Sequence, residues 1–191
     1  LDTGIFQDGR YFDVMVEYAK AAPEDILVRI TVANRGPDAA PVHVLPTLWF
    51  RNTWAWDHGS KRPRLSRDSQ AQGAAVRAAH PEMDGSYRLV CEGEPELLFT
   101  ENDSNVERLY GAPNASPYVK DAFGEYLIHG RKDAVNPLAE GTKAAAHYAL
   151  MLDAGASEVL RLRLTRTGTD RTPLAFEDFD RVFDARRREA D

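Results

Sequence analysis

The chain has 191 residues, of which 43% are hydrophobic and 28% charged, a balance that excludes a disordered chain and leaves room for one domain with a real core. Thirty acidic residues against 24 basic ones give a net charge of −6, which argues against nucleic acid as the main partner, since phosphate binding wants a basic face. The one cysteine, Cys91, excludes an internal disulfide and a thiolate zinc cluster, and no apolar run approaches the roughly 18 residues of a membrane helix.

Period-two alternation runs through most of the chain. In residues 11–19, Phe12, Val14, Val16 and Tyr18 fall on one face, with Asp13 and Glu17 on the other. Residues 26–33 repeat the pattern through Ile26, Val28, Ile30 and Val32, and residues 42–50 through Val42, Val44, Leu48 and Phe50. Pro46 interrupts this third run, which predicts an edge position or a bulge there. The turn formers of 34–38 predict that the second and third runs pair as a hairpin.

Residues 57–73 are polar and punctuated by Gly and Pro, and read as a long mobile loop. Strands are expected over 74–80, 86–92, 96–101, 125–129, 144–152 and 158–165. Two further hairpins are expected, across Gly93-Glu94-Pro95 and across Asp153-Ala154-Gly155-Ala156. Ser104, three residues before Glu107, predicts a capping box opening a short helical turn that Gly111 ends. Ser116-Pro117 predicts a second turn over 118–123, stopped by Gly124. Ala144, Ala145 and Ala146 permit close backbone approach, either at a contact surface or in a crowded core. From Phe176 the period changes: Phe179, Val182, Phe183 and Ala190 recur at helical spacing, with acids early and Arg186, Arg187 and Arg188 late, as a helix dipole favours. That helix is either a connector to something further or one that folds back on its own sheet. Mostly alternating strands followed by one helix predict a mainly β, antiparallel sandwich.

Candidate chemistry is concentrated in one place. All three tryptophans fall in Trp49-Phe50-Arg51-Asn52-Thr53-Trp54-Ala55-Trp56, and a continued strand would put Asn52, Trp54 and Trp56 on one face. Flat rings beside Arg51 and Asn52 suit a sugar surface, because the apolar face of a pyranose stacks on a ring while its hydroxyls find fixed polar partners. Tryptophan is equally at home in a core or a domain interface, and the residue types favour that reading. Glycoside hydrolysis needs two carboxylates held across the scissile bond; Glu101, Asp103, Glu107 and Asp121 lie in irregular segments, but spacing alone pairs none of them. No nucleophile elbow, P-loop or dinucleotide fingerprint is present. The five histidines (His43, His58, His80, His129, His147) show no metal-ligand spacing, so neither metal nor cofactor is expected. His80 and His147 are the candidate acids or bases, and His147 lies inside an alternating strand.

Several long words in order carry a resemblance: Gly9-Arg10-Tyr11-Phe12-Asp13-Val14, Leu45 through Trp54, Leu98-Phe99-Thr100-Glu101-Asn102, Asn114 through Phe123, Gly141 through Tyr148, and the closing Phe176 to Phe183 segment. They resemble the non-catalytic N-terminal portion of large bacterial proteins related to family 63 glycoside hydrolases. The resemblance implies an antiparallel, galactose-mutarotase-like β-supersandwich over 1–170, then a linker helix over 171–191 leading to an (α/α)6 barrel. It places the catalytic acid and base of inverting α-glucosidic hydrolysis on that barrel, so no catalytic residue carries over. The partners it implies are the barrel of the same chain and an oligosaccharide substrate; the charge balance and the lack of a long apolar run leave neither nucleic acid nor membrane expected. Leu1, standing where a methionine would, reads as the cut edge of a longer chain, and the absence of a secretory signal suggests a cytoplasmic one. The candidate substrate-binding or interface residues are Arg51, Asn52, Trp54, Trp56, Glu101, Asn102, Lys120, Asp121, Lys143 and His147. Two alternatives from other classes are a self-sufficient carbohydrate-binding module resting on Trp54 and Trp56, and a mutarotase-like epimerase, which needs a histidine and a carboxylate converging in one cleft.

Overall fold

A computed structural model describes residues 4, 6–56, 61–168 and 175–190. Among these, eleven strands lie in two antiparallel sheets: β1 (Phe12–Ala22), β2 (Asp25–Asn34), β3 (Ala40–Val44), β4 (Thr47–Trp49), β5 (Arg64–Arg67), β6 (Ala74–Ala79), β7 (Ser86–Cys91), β8 (Glu96–Thr100), β9 (Glu140–Gly141), β10 (Lys143–Leu152) and β11 (Ser157–Arg166). Three α-helices join them: α1 (Val106–Tyr110), α2 (Ala122–Ile128) and α3 (Phe179–Ala190). The first sheet has the order β1-β2-β11-β7-β6-β5-β9; in the second, β10 is the spine, with β3 and β4 along one side and β8 along the other. The mainly β, antiparallel sandwich read from the alternation is the fold observed.

The alternation has its physical cause in the layer between the sheets. Ile30, Val32, Leu65, Val76, Leu89, Phe99, Leu160 and Leu162 fill it, closed by Ala144, Ala146 and Tyr148 of β10. The three alanines serve a crowded core: Ala144 and Ala146 face the interior, while Ala145 is covered on the other side by Phe123 and Tyr126 of α2. Pro46 does lie on an edge, because β3 and β4 keep one register against β10 (Val44 opposite Tyr148, Thr47 opposite Ala145) and form an outer ribbon where a missing N–H costs nothing.

All three expected hairpins are instead crossings between sheets. β2 pairs with β1 and β11 while β3 pairs with β10. β7 pairs with β6 and β11 while β8 pairs with β10, and β10 and β11 themselves belong to different sheets. A short turn can carry the chain across the roughly 10 Å between sheets as readily as back along its neighbour. Asn34 holds two of the crossings together. Buried, it donates through Nδ2 to the carbonyls of Asp38, Leu152 and Asp153 (2.8, 3.0 and 3.2 Å) and accepts from the Gly36 N–H through Oδ1 at 2.9 Å.

Four other expectations are corrected. Within the segment read as a mobile loop, Leu65 is fully buried and builds β5; residues 57–60, and His58 with them, lie outside the described residues. The N-cap of α1 is Asn105, whose side chain accepts from the Arg108 N–H, and not Ser104; Gly111 does end the helix in the left-handed region at φ 68°. Ser116 caps only a local turn, accepting from the Tyr118 N–H at 3.1 Å. The helix then runs through Gly124 and replaces the strand expected over 125–129. Burial of Ala122, Phe123 and Tyr126 on one stripe outweighs the roughly 1 kcal/mol that a helical glycine costs.

Helix α3 folds back on the outer face of the first sheet, burying Phe179, Val182 and Phe183 against Ala19 and Leu27. Arg29 lies 4.2 Å from the centre of the Phe183 ring, and also donates to Glu17, which accepts from Arg187 of the helix as well. The hydrogen bond from Arg29 holds the Glu17 carboxyl below the usual carboxylate range; burial opposes the shift and Arg187 adds to it. A depressed carboxylate contributes stability above its unfolded value near 4.3 and loses it as pH falls through the folded value. Urea midpoints at neutral pH and near pH 3 test this: Glu17→Gln should lower stability at neutral pH and shrink the loss on acidification. An acid loss unchanged by the substitution would remove Glu17 from the account.

Candidate functional site

The tryptophan segment leaves the strand after Trp49 and turns, so Asn52, Trp54 and Trp56 do not share a strand face as a continued β4 would require. The turn folds Asn52 and Trp54 onto the segment that follows β8, where Asp103 is the common acceptor. Its Oδ1 takes Asn52 Nδ2 at 2.8 Å and Trp54 Nε1 at 3.0 Å, and its Oδ2 takes Arg62. Arg62 also donates to Glu101 at 3.1 Å and lies 5.5 Å from the Trp54 ring centre. Glu101 in turn accepts from the Thr142 hydroxyl at 2.6 Å. That hydroxyl accepts the Asn102 N–H at 2.8 Å, and the buried Asn102 side chain donates to the Phe50 carbonyl at 3.0 Å.

Lys120 and Lys143 extend this cluster, and Asp121 borders it. The Lys120 N–H donates to the Asp103 carbonyl at 2.9 Å, while the Lys120 carbonyl accepts Lys143 Nζ at 3.0 Å. Lys143 lies 4.7 Å from the Phe123 ring centre and is pulled below the usual lysine range, first by burial and then by the charge of Lys120. Asp121 accepts from Asn105 and Arg108. Trp49, directly across from Lys143 on the next strand, is 54% exposed, and Trp56 is 69% exposed with Arg51 4.9 Å from its ring centre. The exposed rings are therefore not core. The carboxylates of the neighbouring cluster, Glu101, Asp103 and Asp121, each already accept from a cation or an amide.

His147 does not join them. It lies four residues further along β10, which is about 13 Å on a strand. Its Nδ1 lies 3.3 Å from Glu96 and its Nε2 2.8 Å from His43 Nδ1, while Glu96 accepts from the Tyr126 hydroxyl at 2.5 Å. With an ionised Glu96 the network assigns the proton of His147 to Nδ1 and that of His43 to Nδ1, leaving His43 Nε2 as the outward lone pair. Burial pushes the Glu96 carboxyl up, but the hydrogen bonds from Tyr126 and His147 and the charge of Lys132 outweigh it and hold the group below the usual range. Beside this chain of bonds is a cleft of about 550 Å³ lined in part by Glu92, Glu94, Glu96, His147 and Glu158. Both nitrogens of His147 are engaged, by Glu96 and by His43, so its ring is held in place beside the cleft. His80 has a structural task, accepting from the Glu82 N–H at 3.1 Å with its ring 5.2 Å from that of Phe50. Burial pushes the Cys91 thiol up to about 12, which makes it inert. Among the described residues, no group of three or more His, Cys, Asp or Glu side chains is placed to hold a metal ion.

Reading the residues alone missed Arg62, Thr142, His43 and Tyr126, and left Asp103 among the unpaired acids. One signal was available for Asp103: an indole N–H and an asparagine amide two residues apart in a turn both need an acceptor.

No family model matches the chain. It is 35% identical over 217 aligned positions to YMR196W, an uncharacterized protein of Saccharomyces cerevisiae, in a match covering 96% of this chain and 20% of that protein. The chain thus spans about a fifth of the length of the curated relative it matches. Among solved structures, the polysaccharide lyase BACCELL_00875 superposes on 86% of this chain and 21% of its own, with a TM-score of 0.46 and 14% identity.

Proposed function

We propose that this sandwich is a non-catalytic supporting domain of a longer, cytoplasmic α-glucosidase-like glycoside hydrolase. In this reading its Trp49 to Trp56 surface packs on an (α/α)6 catalytic domain of the same polypeptide and walls the oligosaccharide pocket. The observation that carries the reading is the state of the cluster's carboxylates. Hydrolysis by the usual route needs one carboxyl free to give a proton and another free to activate water or attack the sugar. Glu101 and Asp103 are instead tied to Arg62, Thr142, Asn52 and Trp54, and so hold the turn that carries the tryptophans. The sequence words that resemble family 63 relatives run through this same surface, and the yeast relative has four fifths of its length outside the matched part.

The test compares the isolated chain with the longer protein on aryl α-glucosides and α-linked disaccharides. The isolated chain is expected to give no turnover. In the longer protein, Trp56→Ala is expected to raise KM for oligosaccharides about tenfold, the equivalent of ~1.4 kcal/mol. Turnover by the isolated chain would overturn the proposal. Calorimetric titration separates the second reading, which the exposure of Trp56 favours: sugar binding by the isolated chain that is lost in Trp56→Ala would mark a self-sufficient carbohydrate-binding module.

A further inference from the structure

Among the described residues, strand β1 is the outermost strand of the first sheet, paired on one side only. The Arg35 N–H donates to the Tyr11 carbonyl at 2.9 Å, so the odd-numbered positions of β1 carry the hydrogen bonds to β2. The N–H and C=O groups of Phe12, Val14, Val16, Tyr18 and Lys20 therefore point away from the sheet. Among the described residues nothing else bonds to those of Val14, Val16 and Tyr18. The side chains of these same residues lie on the face turned toward the second sheet, whose ribbons end short of β1; Val14, Val16 and Tyr18 are 54, 45 and 71% exposed. Helix α3 covers the opposite face through Ala19. A long apolar edge with open backbone groups is a template for another strand, and proteins that avoid such pairing blunt the edge with charge, proline or a bulge. Here the bulge comes only at the far end, between Lys20 and Ala22.

We propose that this edge pairs antiparallel with β1 of a second copy of the chain, about a two-fold axis at Val16. The strand is self-complementary in that register. Val16 meets its own copy, Val14 lies opposite Tyr18, Phe12 opposite Lys20, Met15 opposite Glu17 and Asp13 opposite Ala19. The two adjacent registers are worse. An axis at Met15 sets Asp13 against Glu17, and one at Glu17 sets that residue against itself; like charges directly opposite destabilise a pair. The outward groups alternate as an antiparallel partner requires, giving about ten interchain hydrogen bonds across the span. Each single apolar face becomes half of a shared one. The pairing does not depend on the glycosidase reading, since it uses the opposite end of the sandwich layers from the tryptophan surface.

Sedimentation velocity on the isolated chain across a range of concentrations tests this. A discrete dimer is expected, with Val16→Lys raising its dissociation constant at least about a hundredfold. Met151→Lys, on an exposed position of β10, should leave the dimer intact, and circular dichroism checks that each variant is folded. Hydrogen exchange on the dimer should protect the amides of Val14, Val16 and Tyr18, and Val14→Lys should release them. A monomer at the highest concentration, a dimer indifferent to Val16→Lys and Val14→Lys, or open-ended aggregation in place of a closed dimer would overturn the proposal.

Discussion

Replacing Arg163 with methionine is expected to lower the unfolding free energy by about 3 kcal/mol, the lower end of the range for removing one partner of a buried ion pair. Arg163 is 3% exposed, and its guanidinium makes four contacts. Nε and Nη2 donate to the two oxygens of Asp25 at 2.8 and 2.6 Å, and Nη1 donates to Asp178 at 2.6 Å and to the Ala175 carbonyl at 3.2 Å. The hydrogen bonds and charges of the two aspartates outweigh burial and raise the arginine pKa further above its already high value, so the cation is fixed at any working pH. Methionine fills much of the volume but leaves two carboxylates facing a site that no longer neutralises them. Their partial exposure, 21 and 25%, lets water take up part of the loss, which places the estimate at the low end. Arg163→Lys should recover only part of the stability, because a point charge cannot reproduce the fork to Asp25. Urea unfolding curves give the result directly, and a loss below about 1 kcal/mol would mean that the Arg163 network adds little to the hold on α3.

The second large effect is expected at Gly141, where alanine should destabilise by about 3 kcal/mol, the upper part of the range for overpacking. A Cβ built on Gly141 would stand 2.2 Å from the Thr100 carbonyl oxygen and 2.8 Å from its carbon. These are backbone atoms of β8 and cannot rotate aside. The chain changes sheet here: Gly141 pairs with Leu65 in the first sheet, the Thr142 N–H donates to the same Thr100 carbonyl at 3.1 Å, and β10 begins in the second sheet at the next residue. Any shift that relieves the clash moves Thr142, which holds both the Glu101 carboxylate and the Asn102 N–H. Gly141→Ala should therefore alter tryptophan emission, through Arg62, Asp103 and Trp54, at denaturant levels where the chain is still folded. An alanine variant with unchanged stability and unchanged emission would show that the two strands do not approach as closely as described.

Much of the fold was legible because burial imposes the period. Ile26 to Val32 and Leu160 to Leu164 alternate because one side of each strand faces the second sheet, and α3 could be read because Phe179, Val182 and Phe183 all point at Ala19 and Leu27. Partners were not legible. The turn at Asn34 to Asp38 has the composition of a hairpin, but whether it reverses the chain in one sheet or carries it to the other depends on Leu152 and Asp153, which lie over a hundred residues away and receive the Asn34 amide. Arg163 shows the same limit at the level of one side chain. On an alternating strand it reads as solvent-facing, and only the return of α3 with Asp178 buries it. In the candidate site the tryptophans declared themselves by clustering, whereas Asp103 could be picked out from its acidic neighbours only once the turn had brought Asn52 and Trp54 onto it.

The crossings between sheets also bear on how the chain reaches this state. Among the described residues, only β1 with β2, β5 with β6, and β6 with β7 join strands that are consecutive in the chain and pair in one sheet. Every ladder of the second sheet waits for β10: Val44 must find Tyr148, and Thr100 must find Lys143. Closing such long loops before any contact rewards the closure makes folding slow, and leaves partly ordered chains with open strand edges in the meantime. Because β10 and β11 follow β3, β4 and β8 in the chain yet form the spine of one sheet and an inner strand of the other, β3, β4 and β8 emerge before they have anything to pair with. The order of synthesis and the order of pairing are opposed, so that assembly of the second sheet is a single late event and not a strand-by-strand growth.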